Sequence, residues 1–203
     1  GLFVGFGLSA VAMDPGARTS LTRSGRVDVG VASASALAMA VASLLFALFT
    51  LADVLGIGVA DLTAPGLVTT YLWDVEVSRA HLISAGLALA AGVGLLFVRS
   101  LGVTACWLAV GVVAVGIPSL TGHASGLGSH SLALISGFLH AIAAAAWGGG
   151  VVALATHAVR RSPAMRERVR RFGVVAIVSV SSLALTGLAS AATRMDSLTQ
   201  LFT

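Results

Sequence analysis

Five apolar stretches, each near or above the roughly 20 residues that a transmembrane helix needs, constrain this chain more than any other feature. They are the segments Val31–Leu51, Ala80–Val98, Leu101–Leu120, Ser131–Val159 and Phe172–Ala192. Charged residues make up only 10 % of the sequence, against about 25 % in soluble domains. We therefore predict an all-α fold, a polytopic transmembrane helical bundle of about five full spans.

A sixth apolar segment, GLFVGFGLSAVAM, opens the sequence and is too short to cross a hydrocarbon core about 30 Å thick. It lacks the basic region that begins a signal peptide. We interpret it as the tail of a truncated helix. Residues 1–203 are accordingly predicted to form a single transmembrane domain that is a fragment of a longer chain.

Arginine supplies all 12 fixed positive charges, because the chain contains no lysine. If the first segment ends in the cytoplasm, ten arginines fall on the cytoplasmic side, and only Arg79 and Arg194 fall outside. This bias follows the positive-inside rule and predicts the orientation of the protein. The formal charge of +4 then reflects membrane topology, and we expect the lipid bilayer rather than nucleic acid as a partner.

Four of the five histidines gather near the predicted outer side of the membrane. His123 follows one span, His130 lies in the Gly/Ser-rich loop, His140 lies in the outer half of the next span, and His81 lies near the outer start of its own span. An ionisable residue in an apolar segment is a functional-site hypothesis by default. Because neutral imidazole is a common ligand of copper, zinc and haem iron, these four are the candidate metal ligands.

His140 is the strongest of these candidates, since it lies within a span. Ser136 lies one helical turn before it and Trp147 two turns after it, so the three share a helix face that we predict points into the bundle. The alternative is a helix–helix hydrogen bond without metal. The fifth histidine, His157, lies beside Arg160 at the inner end and is interpreted as an interfacial residue.

No motif in the sequence indicates catalysis or nucleotide-driven transport. HExxH, CxxC, GxSxG and Walker A patterns are absent, so we predict a protein that is not an enzyme. Segments rich in Gly, Ala and Ser, such as AIAAAAWGGG, favour close helix packing in lipid.

The most specific motifs lie between residues 118 and 192. They are Gly-His-Ala at 122–124, Leu-His at 139–140 followed by an Ala-rich turn and Trp147, and the segment from RF to LTGL at 171–188. This pattern resembles the copper resistance protein D family of bacterial membrane proteins. In some chains the same domain is similar to the N-terminal part of a fusion with a cytochrome c oxidase assembly domain.

The resemblance implies a multi-pass protein of the bacterial cytoplasmic (inner) membrane. Such a protein binds copper at periplasm-facing histidines and transports it, or hands it on for copper resistance or cytochrome oxidase assembly. Carried over to this chain, the resemblance implies His123 and His140 as copper ligands, with His81 and His130 as further candidates. The implied partners are a periplasmic copper chaperone or a respiratory complex.

Two alternatives to copper handling remain open at this point. One is a b-type haem electron-transfer membrane protein, in which two of these histidines ligate iron axially. The other is an accessory structural subunit of a respiratory or transport complex, in which the histidines only connect helices.

Overall fold

The computed structural model describes residues 1–63, 66, 68, 71–121, 130–162 and 164–192. Within these ranges the chain forms six α-helices and no strand, which confirms the predicted all-α class. The helices are α1 (Leu2–Leu8), α2 (Arg23–Leu55), α3 (Glu76–Leu96), α4 (Leu101–Gly116), α5 (His130–Val159) and α6 (Met165–Ala192). A π-helical turn, Ser9–Met13, continues α1, and 3₁₀ turns occupy Val59–Thr63 and Ile117–Leu120.

In the described part of the chain, five helices, α2 to α6, are long and apolar enough to cross a membrane, as predicted. The chain is therefore a multi-pass membrane protein. The largest differences from the predicted bounds are at α2 and α6, which begin eight and seven residues earlier than expected. The extra residues at the start of each helix include charged ones, and the prediction left them out because a hydropathy pattern assigns charged residues to loops.

The short helix α1 lies at the centre of the bundle, against α2, α4 and α5. Its Phe3, Val4 and Phe6 are buried. Glycine allows this packing, because a Cβ atom on Gly5 would overlap the backbone of Gly149 in α5. The prediction that small residues permit close helix contact is confirmed at this crossing.

Buried serines connect the long antiparallel helices to one another. Ser33 Oγ in α2 donates to the carbonyl oxygen of Gly92 in α3 at 2.7 Å, and Ser84 Oγ in α3 donates to that of Ala114 in α4 at 2.8 Å. Each bond satisfies a hydroxyl group that would otherwise be costly to bury. These bonds therefore help to fix the alignment of neighbouring helices.

The turns after the π-helix, after α3 and after α5 lie together at one end of the bundle, which we call the arginine-rich end. Two of these turns are in direct contact, since Ser20 and Ser100 form an isolated β-bridge and Leu101 N donates to Thr19 O at 3.1 Å. Because successive helices alternate in direction, the starts of α3 and α5, with His81 and His130, lie at the opposite end.

Candidate functional site

Four polar side chains from distant parts of the sequence meet inside the arginine-rich end. They are Ser9, Asp28, His157 and Arg168, and we call them the buried polar cluster; none is more than 3 % exposed. Ser9 Oγ donates to Asp28 Oδ2 at 2.7 Å, and His157 Nε2 lies 2.9 Å from the same oxygen. Arg168 Nη1 donates to Ser9 Oγ at 3.3 Å and lies 3.9 Å from Asp28 Oδ2.

Each member of the cluster comes from a different helical element. Ser9 begins the π-helical turn, Asp28 lies near the start of α2, His157 lies in the last turn of α5, and Arg168 lies near the start of α6. The chain reverses between α5 and α6 with a left-handed backbone at Arg161, where φ is 50°. The cluster therefore connects four elements at one end of the bundle.

A second carboxylate, Asp14, borders the cluster and is also buried. Its Oδ1 lies 3.5 Å from Arg168 Nη2 and accepts from Gly16 N at 3.0 Å, and the Thr22 hydroxyl donates to its Oδ2. Thr22 is also the N-cap of α2, where its Oγ1 accepts from Gly25 N at 3.0 Å. Asp14 thus attaches the turn before α2 to Arg168 of α6.

The charges of these buried groups do not cancel when His157 is neutral. Asp14 and Asp28 contribute two negative charges, and Arg168 contributes one positive charge. One proton on either His157 or Asp28 brings the sum to zero. Uncompensated charge is costly in a low-dielectric interior, so the protonation state of this pair matters for the stability of the fold.

A pocket of about 690 Å³ opens beside Asp28 and His157. Its other lining residues are Arg23, Ser24, Val27, Arg160, Arg161 and Ser162. Ser162 Oγ lies 3.1 Å from His157 Nδ1, so one ring nitrogen contacts Asp28 and the other contacts a residue of the pocket wall. In the described part of the chain, two buried atoms of the cluster, Asp28 Oδ1 and Arg168 Nε, have no hydrogen-bond partner.

Of the predicted metal ligands, His140 has the best-defined surroundings. Its Nδ1 lies 3.0 Å from Thr186 Oγ1, and Thr186 Oγ1 donates its own proton to Ser182 O at 2.6 Å. Because a threonine hydroxyl has one proton to donate, and the shorter contact is with Ser182 O, we assign Nδ1–H of His140 as the donor in the first bond. Nε2 of the neutral ring then carries the lone pair, which is the form that binds a metal.

The prediction that Ser136, His140 and Trp147 face into the bundle is correct only for Ser136. Ser136 is buried and donates to Thr186 O at 2.8 Å, whereas His140 is exposed and Trp147 is 43 % exposed. The face of α5 that points to the centre of the bundle carries small residues such as Gly149, because α1 approaches it closely.

His81 packs its ring against Phe46, with the ring centroids 4.3 Å apart, and its buried Nδ1 has no partner among the described residues. Its helix packs on α2 and α4, whereas the helix of His140 packs on α1, α4 and α6.

His123 lies outside the described residues, and His130 is described only as the first residue of α5. The described ranges contain no group of three or more His, Cys, Asp or Glu residues that could hold a metal ion.

His157 lies in the last turn of α5, at the arginine-rich end, but its side chain does not lie on the protein surface. The side chain is buried because it hydrogen-bonds with Ser9 and Asp28, which belong to other elements of the bundle. Sequence reasoning also missed Asp28 and Arg168, since it assigned both to loops that set the topology. The available signal was Asp28, an acidic residue at the edge of an apolar span, where an ionisable side chain is a functional-site hypothesis by default.

No family model, curated protein or solved structure matches this chain. Its class therefore rests on the fold and the site alone. The protein is a multi-pass all-α membrane protein that contains a cluster of buried charged residues at one end.

Proposed function

We propose that this protein handles copper, which binds to histidines at the end opposite the arginine-rich end and is then transported or passed to a partner. The observation that carries this proposal is the hydrogen bond between His140 Nδ1 and Thr186 Oγ1, over 3.0 Å. Metal-binding histidines are commonly held in this way through the nitrogen that does not bind the metal. The other nitrogen, Nε2, belongs to an exposed side chain and carries the lone pair.

Three further histidines support the proposal. His81 lies at the same end as His140 and has a buried nitrogen without a partner in the described part of the chain. His130 begins the helix of His140, and His123 precedes that helix by seven residues. Imidazole nitrogen suits copper ions, and a site that releases its cargo does not need a complete, rigid set of ligands.

By the positive-inside rule, the arginine-rich end would face the cytoplasm and the histidines would face outward. In a bacterial cytoplasmic membrane, copper would then be received on the periplasmic side. A periplasmic copper chaperone or a respiratory complex would be the corresponding partner.

Elemental analysis of the purified chain for copper, iron and zinc tests the proposal. We expect copper near one ion per chain after purification from copper-replete cells, and we expect His123→Ala or His140→Ala to remove it. Thr186→Val should lower copper affinity by about 10–100-fold, because it removes the group that orients His140. His157→Gln is the matched control at the other end of the bundle and should retain copper.

Two results would overturn copper handling. Iron together with a strong Soret band would indicate haem ligation by the same histidines. Absence of metal from protein prepared in copper-replete medium would instead indicate a structural subunit.

A further inference from the structure

We propose that Asp28 and His157 form a proton-binding site that is loaded from the pocket at the arginine-rich end through Ser162. This inference does not depend on the copper proposal, since the pair lies at the other end of the bundle and includes none of the candidate metal ligands. The ligand is a proton delivered from water in the pocket.

The contacts of His157 provide a route for the proton. In the unloaded state Nε2–H donates to Asp28 Oδ2 over 2.9 Å, and Nδ1 accepts from the Ser162 hydroxyl over 3.1 Å. The Ser162 O–H bond breaks as its proton forms an N–H bond at Nδ1, and the Ser162 oxygen takes a proton from a hydronium ion in the pocket, which leaves as water. The restored hydroxyl then turns to accept from Nδ1–H. The Nε2–H bond can then break as an O–H bond forms at Asp28 Oδ2, which leaves His157 neutral in its other tautomer.

Buried charges of both signs surround the pair, and Arg168 Nη1 also lies 3.5 Å from His157 Nε2. Asp14 and Arg168 are the buried charged neighbours of the pair, and with them the unloaded cluster has a net charge of −1. Uptake of one proton makes that charge zero. The other charged groups at this end are more exposed to water, which screens their charges. They are Arg23, Arg160 and Arg161 at the pocket, Arg171 beside the backbone of Asp14, and Glu167, which pairs with Arg170 and Arg171. The sequence of α1 and its π-helical turn contains no ionisable side chain.

A purely structural role explains the cluster less well. Buried ion pairs contribute little net stability, and a cluster that only holds helices together is most stable when each of its polar atoms is bonded. Asp28 Oδ1 and Arg168 Nε have no partner within the described ranges. Protonation of Asp28 would also weaken its attraction to Arg168, so loading would alter the connection between α2 and α6.

Proton counting on the copper-free chain in lipid nanodiscs tests the site. Between pH 8 and pH 5 we expect the wild type to bind about one proton per chain more than His157→Gln does. Asp28→Asn should lose the same single proton, and the double variant should lose no more than either single variant, because the two residues share it. Nitrogen NMR of labelled histidine, with the His157 signal assigned from His157→Gln, should show that this ring changes its protonation or tautomer over the same range.

The route through Ser162 can be tested without replacing Asp28 or His157, by comparing two variants that each lack one hydroxyl group. Ser162→Ala should slow proton uptake after a pH jump while leaving its total unchanged. Thr156→Ala is the matched control, since its hydroxyl donates to Val152 O within α5. The proposal is refuted if the His157 ring is unchanged from pH 8 to pH 5, and the route is refuted if Ser162→Ala takes up protons as fast as Thr156→Ala.

Discussion

Replacing Arg168 with methionine should destabilise the fold severely, because the substitution keeps an unbranched side chain but removes the charge. Nη1 of Arg168 donates to Ser9, and Nη2 donates to Ser24 Oγ at 3.1 Å and lies 3.5 Å from Asp14. Without the guanidinium group, the buried carboxylates of Asp14 and Asp28 lose the buried positive charge that lies beside them. Removing one partner of a buried ion pair costs about 3–5 kcal/mol, which is a large fraction of the roughly 5–15 kcal/mol that stabilises a typical fold.

Arg170→Met is the matched control on the same helix. Arg170 is 77 % exposed and pairs with Glu167, and exposed pairs contribute little to stability. Equilibrium unfolding of the two variants in mixed detergent micelles, followed by circular dichroism, gives the comparison. If Arg168→Met unfolds at the same denaturant concentration as Arg170→Met, the charges of the cluster are compensated elsewhere and our reasoning is wrong. Adding Asp28→Asn to Arg168→Met should recover part of the loss, since the two residues are coupled.

Two further predictions use other parts of the bundle. Gly149→Ala should lower the melting temperature because its Cβ would meet the backbone of α1, whereas Gly148→Ala, which has open space around it, should leave the melting temperature unchanged or raise it. His81→Phe should keep the packing against Phe46 and remove an unpartnered buried nitrogen, so thermal stability should be maintained or increased. A copper titration of the same His81→Phe variant should show weaker binding, and unchanged copper affinity would remove His81 from the set of ligands.

The number and positions of the long helices could be predicted from the sequence, because apolar runs in lipid must form helices to satisfy their backbone groups. The contacts between helices could not be predicted in the same way. Asp28 and His157 are 129 residues apart, and no local pattern shows that they meet. Hydropathy also assigned Asp28 and Arg168 to loops, although each is buried by partners from other helices. Among the candidate ligands, the sequence favoured His140 but could not show that its Nδ1 lies against Thr186.

The unequal lengths of α2 and α3 have a consequence for the position of the buried polar cluster relative to a bilayer. Toward the arginine-rich end, α2 extends ten residues past Ser33, whereas α3 extends four residues past Gly92, the residue bonded to Ser33. Toward the opposite end, α2 extends eight residues past Ala47, whereas α3 extends two residues past Ser78, the residue bonded to Ala47. At 1.5 Å per residue, α2 therefore extends beyond its neighbour by about 9 Å at each end. Asp28 lies five residues beyond Ser33, level with the end of α3. If the hydrocarbon layer matches the shorter helix, the carboxylate lies at the depth of the lipid headgroups, where water is close and a charged residue is far less costly than at the bilayer midplane.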